Sequence, residues 1–420
     1  MVNLMLQKAL RGVKATYNEY PRAFWYLMGT SFVDALGGAL LFPFFALYVT
    51  RAFGIGLSEV GLIFASLTIT GIIGSTIGGG LTDRFGRKSM VIFGLVASAL
   101  SVLMLGFVKQ LGVFVPLVML AGLTGNIGAP ARGAMVADIL PEEKRAGGFG
   151  LHRVINNLAF VIGPVLGGLL ATHSYLYLFI LDTLLSLITA LVFYILLPET
   201  KPQHVEGEPE ETMTETFKGY GHVLTDRFFM FFLIATMLMV LVISQFQGPL
   251  AVFLRDVHGL PEQSFGWILS LNAAMVVLFQ FAITRRVEAY PPFIILSLGT
   301  LFLVVGFGMY GFVSTYMLFM VAMAVVTIGE MLTVPVGQAI AARLSPEHMR
   351  GRYMAFFGFA WMVPGAVGMY LSGLIMDHYD PRWMWHISAL VGIIAALFYL
   401  AMHFKQQQEI EIKPIPEPSG

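Results

Sequence analysis

Three carboxylates lie inside long apolar stretches of this sequence, where a negative charge is unfavourable. Asp34 lies in "SFVDALGG", Glu330 in "VVTIGEMLTVP" and Asp182 in "FILDTLL". An ionised side chain at the centre of a membrane helix costs roughly 2.5–3.5 kcal/mol on insertion scales. Burial favours the protonated form of a carboxylate and a nearby cation favours the ionised form, so a carboxylate that alternates between these surroundings can carry a proton. The sequence predicts these three residues as candidates for proton coupling; the alternative is that each makes a structural polar contact.

The apolar stretches that hold the three carboxylates predict an integral membrane protein. Of the 420 residues, 57% are hydrophobic and 12% are charged, and the mean hydropathy is +0.78, whereas a soluble domain carries about 25% charged residues. A stretch of about 20 apolar residues spans a bilayer. The sequence therefore predicts an all-α fold of twelve transmembrane helices, numbered 1 to 12, at 23–50, 56–82, 88–109, 112–139, 146–172, 175–197, 226–254, 260–285, 290–313, 315–343, 351–377 and 382–404.

Lysine and arginine predict the orientation of these helices, because basic loops stay on the cytoplasmic side. Only single basic residues lie in the opposite loops: Arg51, Lys109, Arg255 and Arg382. The N-terminal segment 1–22 is too polar for a signal peptide. We expect a multi-pass protein of the cell membrane with both termini in the cytoplasm. The basic loops carry Arg84, Arg87 and Lys88; Lys144 and Arg145; Arg285 and Arg286; and Arg350 and Arg352.

Several classes of function are disfavoured by the composition. The net charge is zero, so no nucleic-acid partner is expected, and the absence of cysteine excludes disulfides and thiol chemistry. Isolated histidines give no metal site or catalytic constellation, and the sequence has no Gly-x4-Gly-Lys-Ser/Thr phosphate loop. An enzyme, a cofactor and ATP-driven pumping are therefore not expected. We expect a monomer in the lipid bilayer that binds a small-molecule substrate and protons.

The sequence also repeats itself at a shift of 205 residues. Pro130 corresponds to Pro335, Arg145 corresponds to Arg350, and the pair at 141–142 corresponds to the pair at 346–347. Two parallel repeats of six helices follow, related by an axis along the membrane normal. The predicted domains are a bundle at 23–197, an acidic cytoplasmic linker at 198–224, a bundle at 225–404 and a cytoplasmic tail at 405–420.

A charged loop, "GGGLTDRFGRKSM", joins predicted helices 2 and 3. It carries the spacing Gly-x-x-x-Asp-Arg/Lys-x-Gly-Arg-Arg/Lys without a mismatch, and in this the chain resembles the major facilitator superfamily. The resemblance implies a cytoplasmic latch, in which Asp83 faces the start of helix 11 and Arg87 pairs with Asp138. The resemblance also implies that this latch stabilises the outward-open state. Its residues are Gly79, Asp83, Arg84, Gly86, Arg87, Lys88 and Asp138.

Predicted helix 5, "GLHRVINNLAFVIGPVLGG", resembles the antiporter pattern of the same family. Ala159 replaces one glycine, and the other matching residues are Gly150, Gly163, Pro164, Gly167 and Gly168. The resemblance implies the twelve-helix drug/proton antiporter group; the alternative is ordinary close packing by small residues. That group often carries an arginine in helix 4 where this chain has Ala121. Arg132 follows eleven residues later, either as a relocated charge or as part of the cytoplasmic interface.

Uncharged polar residues complete the predicted substrate cavity, although each is individually more typical of a contact between helices. The expected function is proton-coupled efflux of hydrophobic or cationic small molecules by alternating access. The alternative is a sugar, lipid or metabolite transporter of the same superfamily, including a uniporter. The cavity candidates are Asn126, Asn156, Asn157, Gln245, Gln247, Asn272 and Gln338.

Overall fold

The computed structural model describes residues 17–201, 223–246, 248–287, 289–346 and 349–412. Within these residues it contains helices and connecting turns and no strand. Twelve helices are long and apolar enough to cross a membrane, which confirms the predicted number. Most of the predicted linker, 202–222, lies outside the described residues.

We number the membrane-length helices α1 to α12 in chain order. Three of them contain a break: α1 has a 3₁₀ turn at Phe42–Phe44, α4 is interrupted at Gly128, and α7 has a 3₁₀ turn at Ser244–Phe246. The helices are α1 Arg22–Leu41 and Phe45–Phe53, α2 Leu57–Phe85, α3 Arg87–Leu105, α4 Leu111–Ile127 and Ala129–Ile139, α5 Glu142–Ala171, α6 Leu176–Leu196, α7 Arg227–Ile243 and Pro249–Asp256, α8 Glu262–Val287, α9 Pro292–Tyr310, α10 Tyr316–Leu344, α11 Arg350–His378 and α12 Arg382–Ile412.

The internal repeat is visible in the helix ends. Helices α3 and α9 begin and end 205 residues apart, and so do the ends of α4 and α10. The predicted C-terminal ends of helices 3 and 9 lie too late in the sequence, because α3 ends before Gly106 and α9 ends before Gly311. The last helix, in contrast, continues past the predicted 404 to Ile412.

The prolines at equivalent positions of the two repeats have different effects on their helices. In α4, Pro130 follows Gly128 and the helix breaks there. In α10, Pro335 lies inside a continuous helix. Proline leaves the carbonyl four residues earlier without its helical donor, and in α10 that carbonyl, on Met331, accepts a hydrogen bond of 3.0 Å from Gln280 Nε2. This contact from α8 helps α10 to stay continuous.

Contacts divide the chain into two units. The first takes in Met1–Phe42 and Ser66–Val205, and the second takes in Pro43–Ala65 and Glu206–Gly420. In the first unit, α1 packs on α5 and α6, and α3 packs on α4 and α6. A buried apolar cluster fills the space between α1, α3, α4 and α6 and includes Phe24, Met90, Met135 and Phe193.

In the second unit, α9 packs on α10 and α12, and α7 packs on α11 and α12. The segment from Pro43 to Ala65 is tied to the rest of this unit by a carboxylate. Asp377, near the end of α11, accepts hydrogen bonds of 2.9 Å from the backbone N–H groups of Leu57 and Ser58 at the start of α2. A negative charge at a helix N-terminus is favourable, because the first N–H groups lack helical acceptors.

Candidate functional site

An ion pair joins α1 and α4 inside the first unit. Nη1 of Arg132 donates a hydrogen bond to Oδ2 of Asp34. Each of the two side chains is 23% exposed, so the pair is largely but not fully withdrawn from solvent. Both residues lie within membrane-length helices. Arg132 is therefore the cation that compensates the charge of Asp34, as the relocated-charge alternative requires.

The break in α4 explains why Arg132 reaches α1. After the break, the N–H of Arg132 bonds the carbonyl of Gly128, and the second segment of α4 starts there. Gly128 lies close to the backbone of α3, since a Cβ at this position would come within 3.2 Å of the Met90 carbonyl oxygen. Glycine at the break permits this close approach, and the re-started helix directs Arg132 towards Asp34.

The ion pair lines a cavity of about 450 Å³ formed by α1, α4 and α5. Three further polar side chains face it: Ser31, His152 and Asn156. Nδ2 of Asn156 lies 3.5 Å from Nδ1 of His152. The hydroxyl of Ser31 is buried and has no hydrogen-bond partner within the described part of the chain. A buried polar atom without a partner is unusual, so Ser31 offers a hydrogen bond to a molecule that enters the cavity.

The rest of the cavity wall is apolar. Leu27 of α1, Val136 of α4, and Phe149 and Phe160 of α5 contribute to it. Small-molecule sites are typically apolar pockets with a few polar groups that fix orientation. This cavity has that character, with one negative and one positive side chain at its polar end.

The predicted cavity candidates are distributed over several places. Asn156, rather than its neighbour Asn157, lines the cavity of the first unit. Asn126 donates to the Gly122 carbonyl one turn earlier in its own helix. Gln245 is buried and bonds the Leu241 carbonyl and Ser372 within the second unit. Gln247 lies outside the described residues, and Gln338 is exposed on α10.

Glu330 belongs to a hydrogen-bonded cluster in the second unit. Nδ2 of Asn272, on α8, donates to Glu330 Oε2 at 2.7 Å and to Thr327 Oγ1 at 3.0 Å. The Thr327 hydroxyl in turn donates to the Met323 carbonyl at 2.7 Å. Two of the predicted residues, Asn272 and Glu330, are thus in direct contact, and Thr327 joins them. Asp182 lies apart from this cluster, on α6 of the first unit, and is 8% exposed.

The charged loop between α2 and α3 makes several contacts within the first unit. Nε of Arg87 lies 3.4 Å from Asp138 Oδ2, the contact that the family pattern implies. Gly86 has a φ of 95°, which favours glycine. A Cβ at Gly79 would meet nothing within 4 Å among the described residues, whereas Gly78 touches the backbone of α4. The Asp83 side chain lies outside the described part of the structure.

A residue from the predicted linker supports this loop. Glu199 accepts hydrogen bonds from the N–H groups of Arg87 at 2.8 Å and Lys88 at 3.1 Å, so it caps the start of α3. Thr200 donates to Asp138 at 3.1 Å. Lys88 Nζ bonds the Tyr194 carbonyl at 2.7 Å. The role of Glu199 was not predictable from the sequence, because an acidic residue in a polar segment is typical of a linker.

The glycine pattern of α5 serves packing against α1. A Cβ at Gly163 would lie 2.5 Å from the Cβ of Ala39, so this glycine permits the two helices to touch. Ala159 is fully buried, and Pro164, Gly167 and Gly168 are buried as well, whereas Gly150 is exposed. These positions support the packing interpretation of the pattern.

The sequence did not predict Ser31 as a site residue, and it predicted Asn156 and Asn157 alike. Ser31 lies three residues before Asp34, on the same face of α1, and this spacing was the available signal. Nothing in the local pattern separates Asn156 from Asn157.

Twelve membrane-length helices in two repeats, with a charged pair in a membrane-embedded cavity, define a membrane transport protein. The chain belongs to the Major Facilitator Superfamily, whose family model matches residues 27–261 and 242–418. A Na⁺, Li⁺, K⁺/H⁺ antiporter of Planococcus maritimus is 28% identical over 86% of this chain and 94% of its own length. The multidrug resistance protein MdtH of Shigella flexneri is 23% identical over 91% of this chain and 94% of its own length.

Solved structures agree with the fold. A nucleoside transporter, NupG, superposes with a TM-score of 0.78 at 15% identity, over 91% of this chain and 100% of that chain. A POT family transporter in complex with 5-aminolevulinic acid gives a TM-score of 0.77 at 15% identity, over 92% of this chain and 96% of that chain. At these identities the likeness establishes the fold and not the substrate.

Proposed function

We propose that this transporter is a secondary active antiporter that exports hydrophobic or cationic small molecules in exchange for protons. The observation that carries the proposal is the Asp34–Arg132 ion pair in the cavity of the first unit. The carboxylate of Asp34 is the negative group that a cationic substrate needs. The aromatic side chains Phe149 and Phe160 suit the apolar part of such a molecule.

Because of the ion pair, the affinity of the cavity for a cation depends on the charges of the neighbouring side chains. A cation that enters the cavity competes with the Arg132 guanidinium for the Asp34 carboxylate. Each added positive charge favours the loss of a proton from a nearby acid, and each added proton weakens the binding of the cation. This reciprocal effect is the linkage that couples two ligands in an exchanger. Ser31 supplies a further hydrogen-bonding group beside the same carboxylate.

The relatives support exchange and cationic substrates. One is named for the antiport of alkali cations and protons and another for multidrug resistance. The rival is a sugar, lipid or metabolite transporter, for which the apolar walls and hydrogen-bonding groups of the cavity are also suitable. The charged pair favours the cationic substrate over these neutral ones.

In this proposal the protein lies in the cell membrane with both termini in the cytoplasm. The basic loops support that orientation. The Gly79–Lys88 loop acts as a latch at the cytoplasmic end, and the Arg87–Asp138 ion pair and the Glu199 cap support this role. Cysteine labelling at Arg84 and at Lys109 tests the orientation, since the two loops must react from opposite sides of the membrane.

Transport into proteoliposomes tests the function. With an imposed pH gradient, the parent protein is expected to accumulate tetraphenylphosphonium, and Asp34→Asn is expected to reduce the initial rate about tenfold or more, because a charge-assisted contact is worth at least about 1.4 kcal/mol. Ser372→Ala, in the second unit, is the control. Parallel assays use Na⁺, Li⁺ and K⁺. Movement of a sugar or lipid without any dependence on the pH gradient, together with no cation transport, would overturn the proposal.

A further inference from the structure

Asp182 lies against the backbone of α1 at a glycine. A Cβ at Gly37 would lie 2.7 Å from Asp182 Oδ1, closer than real Cβ atoms approach an oxygen. The carboxyl group therefore occupies the space that a side chain at position 37 would take. Asp182 is 8% exposed, and the helix that carries it spans the membrane.

The charged group nearest to Asp182 on α1 is another carboxylate. Asp34 lies three residues before Gly37, on the same face of α1 and one turn away. Among the described residues, the structure gives Asp182 no ion pair, whereas Asp34 is paired with Arg132. Two neighbouring carboxylates therefore have one cation near them, and that cation, Arg132, contacts only Asp34.

Helices α3 and α5 also pack on α6. Their charged residues lie away from Asp182. The titratable residues of α3 are at its start, and Lys88 bonds the Tyr194 carbonyl, about 18 Å along α6 from Asp182. In the membrane span of α5 they are His152, which lines the cavity beside Arg132, and Arg153, which is exposed. Asp182 has no hydrogen bond to either of these residues, or to any other residue that the structure describes.

These surroundings decide which carboxylate is charged. An ionised carboxylate that is buried without an ion pair or a hydrogen bond is strongly unfavourable, and the usual response is to bind a proton. The negative charge of Asp34, one turn along α1 from Gly37, adds to this cost. Asp34 has Arg132 to compensate its charge and Asp182 has none, so the neutral acid of the pair is Asp182.

We infer that Asp182 holds the proton that this transporter exchanges, while Asp34 anchors the cation. This inference rests on the proposed function and assigns its two ligands to separate residues. When a cation reaches Asp34, the site gains one positive charge. The O–H bond of Asp182 then breaks, the proton passes to water, and the new carboxylate balances the added charge. Departure of the cation reverses the step.

The adjacent glycines Gly37 and Gly38 provide a matched pair of variants to test the role of Asp182. In Gly37→Ala the new methyl group pushes the Asp182 carboxyl away from α1, and because the clash is with the end of a side chain, the helices can keep their packing. In Gly38→Ala the new methyl group meets nothing within 4 Å among the described residues. The two variants make the same chemical change at adjacent positions, and only the first disturbs Asp182.

Infrared spectroscopy of the full-length protein in liposomes at neutral pH tests the inference without any substrate. The parent is expected to show the carbonyl stretch of a protonated carboxylic acid, and Asp182→Asn is expected to lose it. The absorption that disappears in Asp182→Asn is expected to remain in Asp34→Asn and in Glu330→Gln. Gly37→Ala is expected to shift that part in frequency, and Gly38→Ala is expected to leave it unchanged.

The outcomes separate this inference from the proposed function. A full acid band in Asp182→Asn would overturn the inference whatever the transport assays give, and so would identical spectra for the Gly37→Ala and Gly38→Ala variants. Loss of the band in Asp182→Asn, combined with a parent that transports no cation, would uphold the protonated Asp182 and overturn the proposed function. Circular dichroism of each variant confirms that the helices are intact.

Discussion

Asp34 and Asp182 are the same amino acid in the same unit, and Asp182 contacts α1 at Gly37, about one turn after Asp34, yet their surroundings are opposite in character. Asp34 faces a cavity and pairs with Arg132. Asp182 faces the backbone of α1 at Gly37, with no ion pair or hydrogen bond among the described residues. The first therefore has a cation beside it and the second has none among the described residues.

The difference shows that burial alone does not decide which embedded carboxylate carries a proton. The position of the nearest cation decides it, because a single guanidinium stabilises the anion that it touches. In the proposed exchange, Asp34 binds the cation and Asp182 holds the proton. Here a break in one helix and a glycine in another provide them.

Removal of Arg132 is expected to have the largest effect on stability. Arg132→Gln leaves Asp34 without its cation, so we expect a loss of about 1–3 kcal/mol, less than the value for a fully buried pair because each side chain is partly exposed. The double variant Asp34→Asn/Arg132→Gln is expected to lose less than the sum of the two single variants. Thermal unfolding in detergent measures this coupling. Strictly additive losses would contradict a direct ion pair.

Neutral replacements of the two aspartates are expected to differ in their effect on the free energy of unfolding. Asp182→Asn exchanges one neutral group for another of similar size, so we expect a change in unfolding free energy within about 1 kcal/mol. Asp34→Asn leaves Arg132 without its anion and is expected to cost about 1–2 kcal/mol. The same unfolding assay compares them. If Asp182→Asn proved the more damaging, Asp182 would be an ion and the comparison would be reversed.

A third embedded carboxylate, Glu330, is contacted by the amide of Asn272, where Asp34 is contacted by an arginine. Thr327→Val removes the hydroxyl that helps to orient Asn272 towards Glu330, and we expect a loss of about 1 kcal/mol. Thr333→Val is the matched control, since Thr333 lies on the same helix and bonds only its own backbone. Equal losses in the two variants would show that the hydroxyl matters only for α10 itself.

The last expected effect is local and concerns Glu199, a carboxylate outside the membrane-length helices. Glu199→Ala removes the cap of α3, so the N–H groups of Arg87 and Lys88 should exchange faster, with a local opening free energy lower by about 1 kcal/mol. Hydrogen exchange measures the change. Glu59→Ala, which removes an acceptor from the start of α2, is expected to leave α3 unaffected. Unchanged exchange in Glu199→Ala would mean that this carboxylate does not brace the loop.

Much of the fold was predictable, because membrane helices are long apolar stretches with charged ends. The repeat was predictable from the residues that recur at a shift of 205, and it reappears in the ends of α3 and α9. The three embedded carboxylates were also visible in the sequence. Their partners were not: Arg132 meets Asp34, and Gly37 meets Asp182, through packing of helices that are distant in sequence. Apolar periodicity reports which face is buried and carries no record of which residue lies opposite.

Proton release on cation binding tests the division of roles between Asp34 and Asp182 most directly. Purified protein in a weakly buffered solution is mixed with tetraphenylphosphonium, and both the bound cation and the released protons are measured. We expect the parent to release about one proton for each cation bound, since one positive charge replaces another. Asp182→Asn should still bind the cation and release no proton, whereas Asp34→Asn should lose cation binding. Proton release that persists undiminished in Asp182→Asn would contradict the proposal that this residue carries the proton.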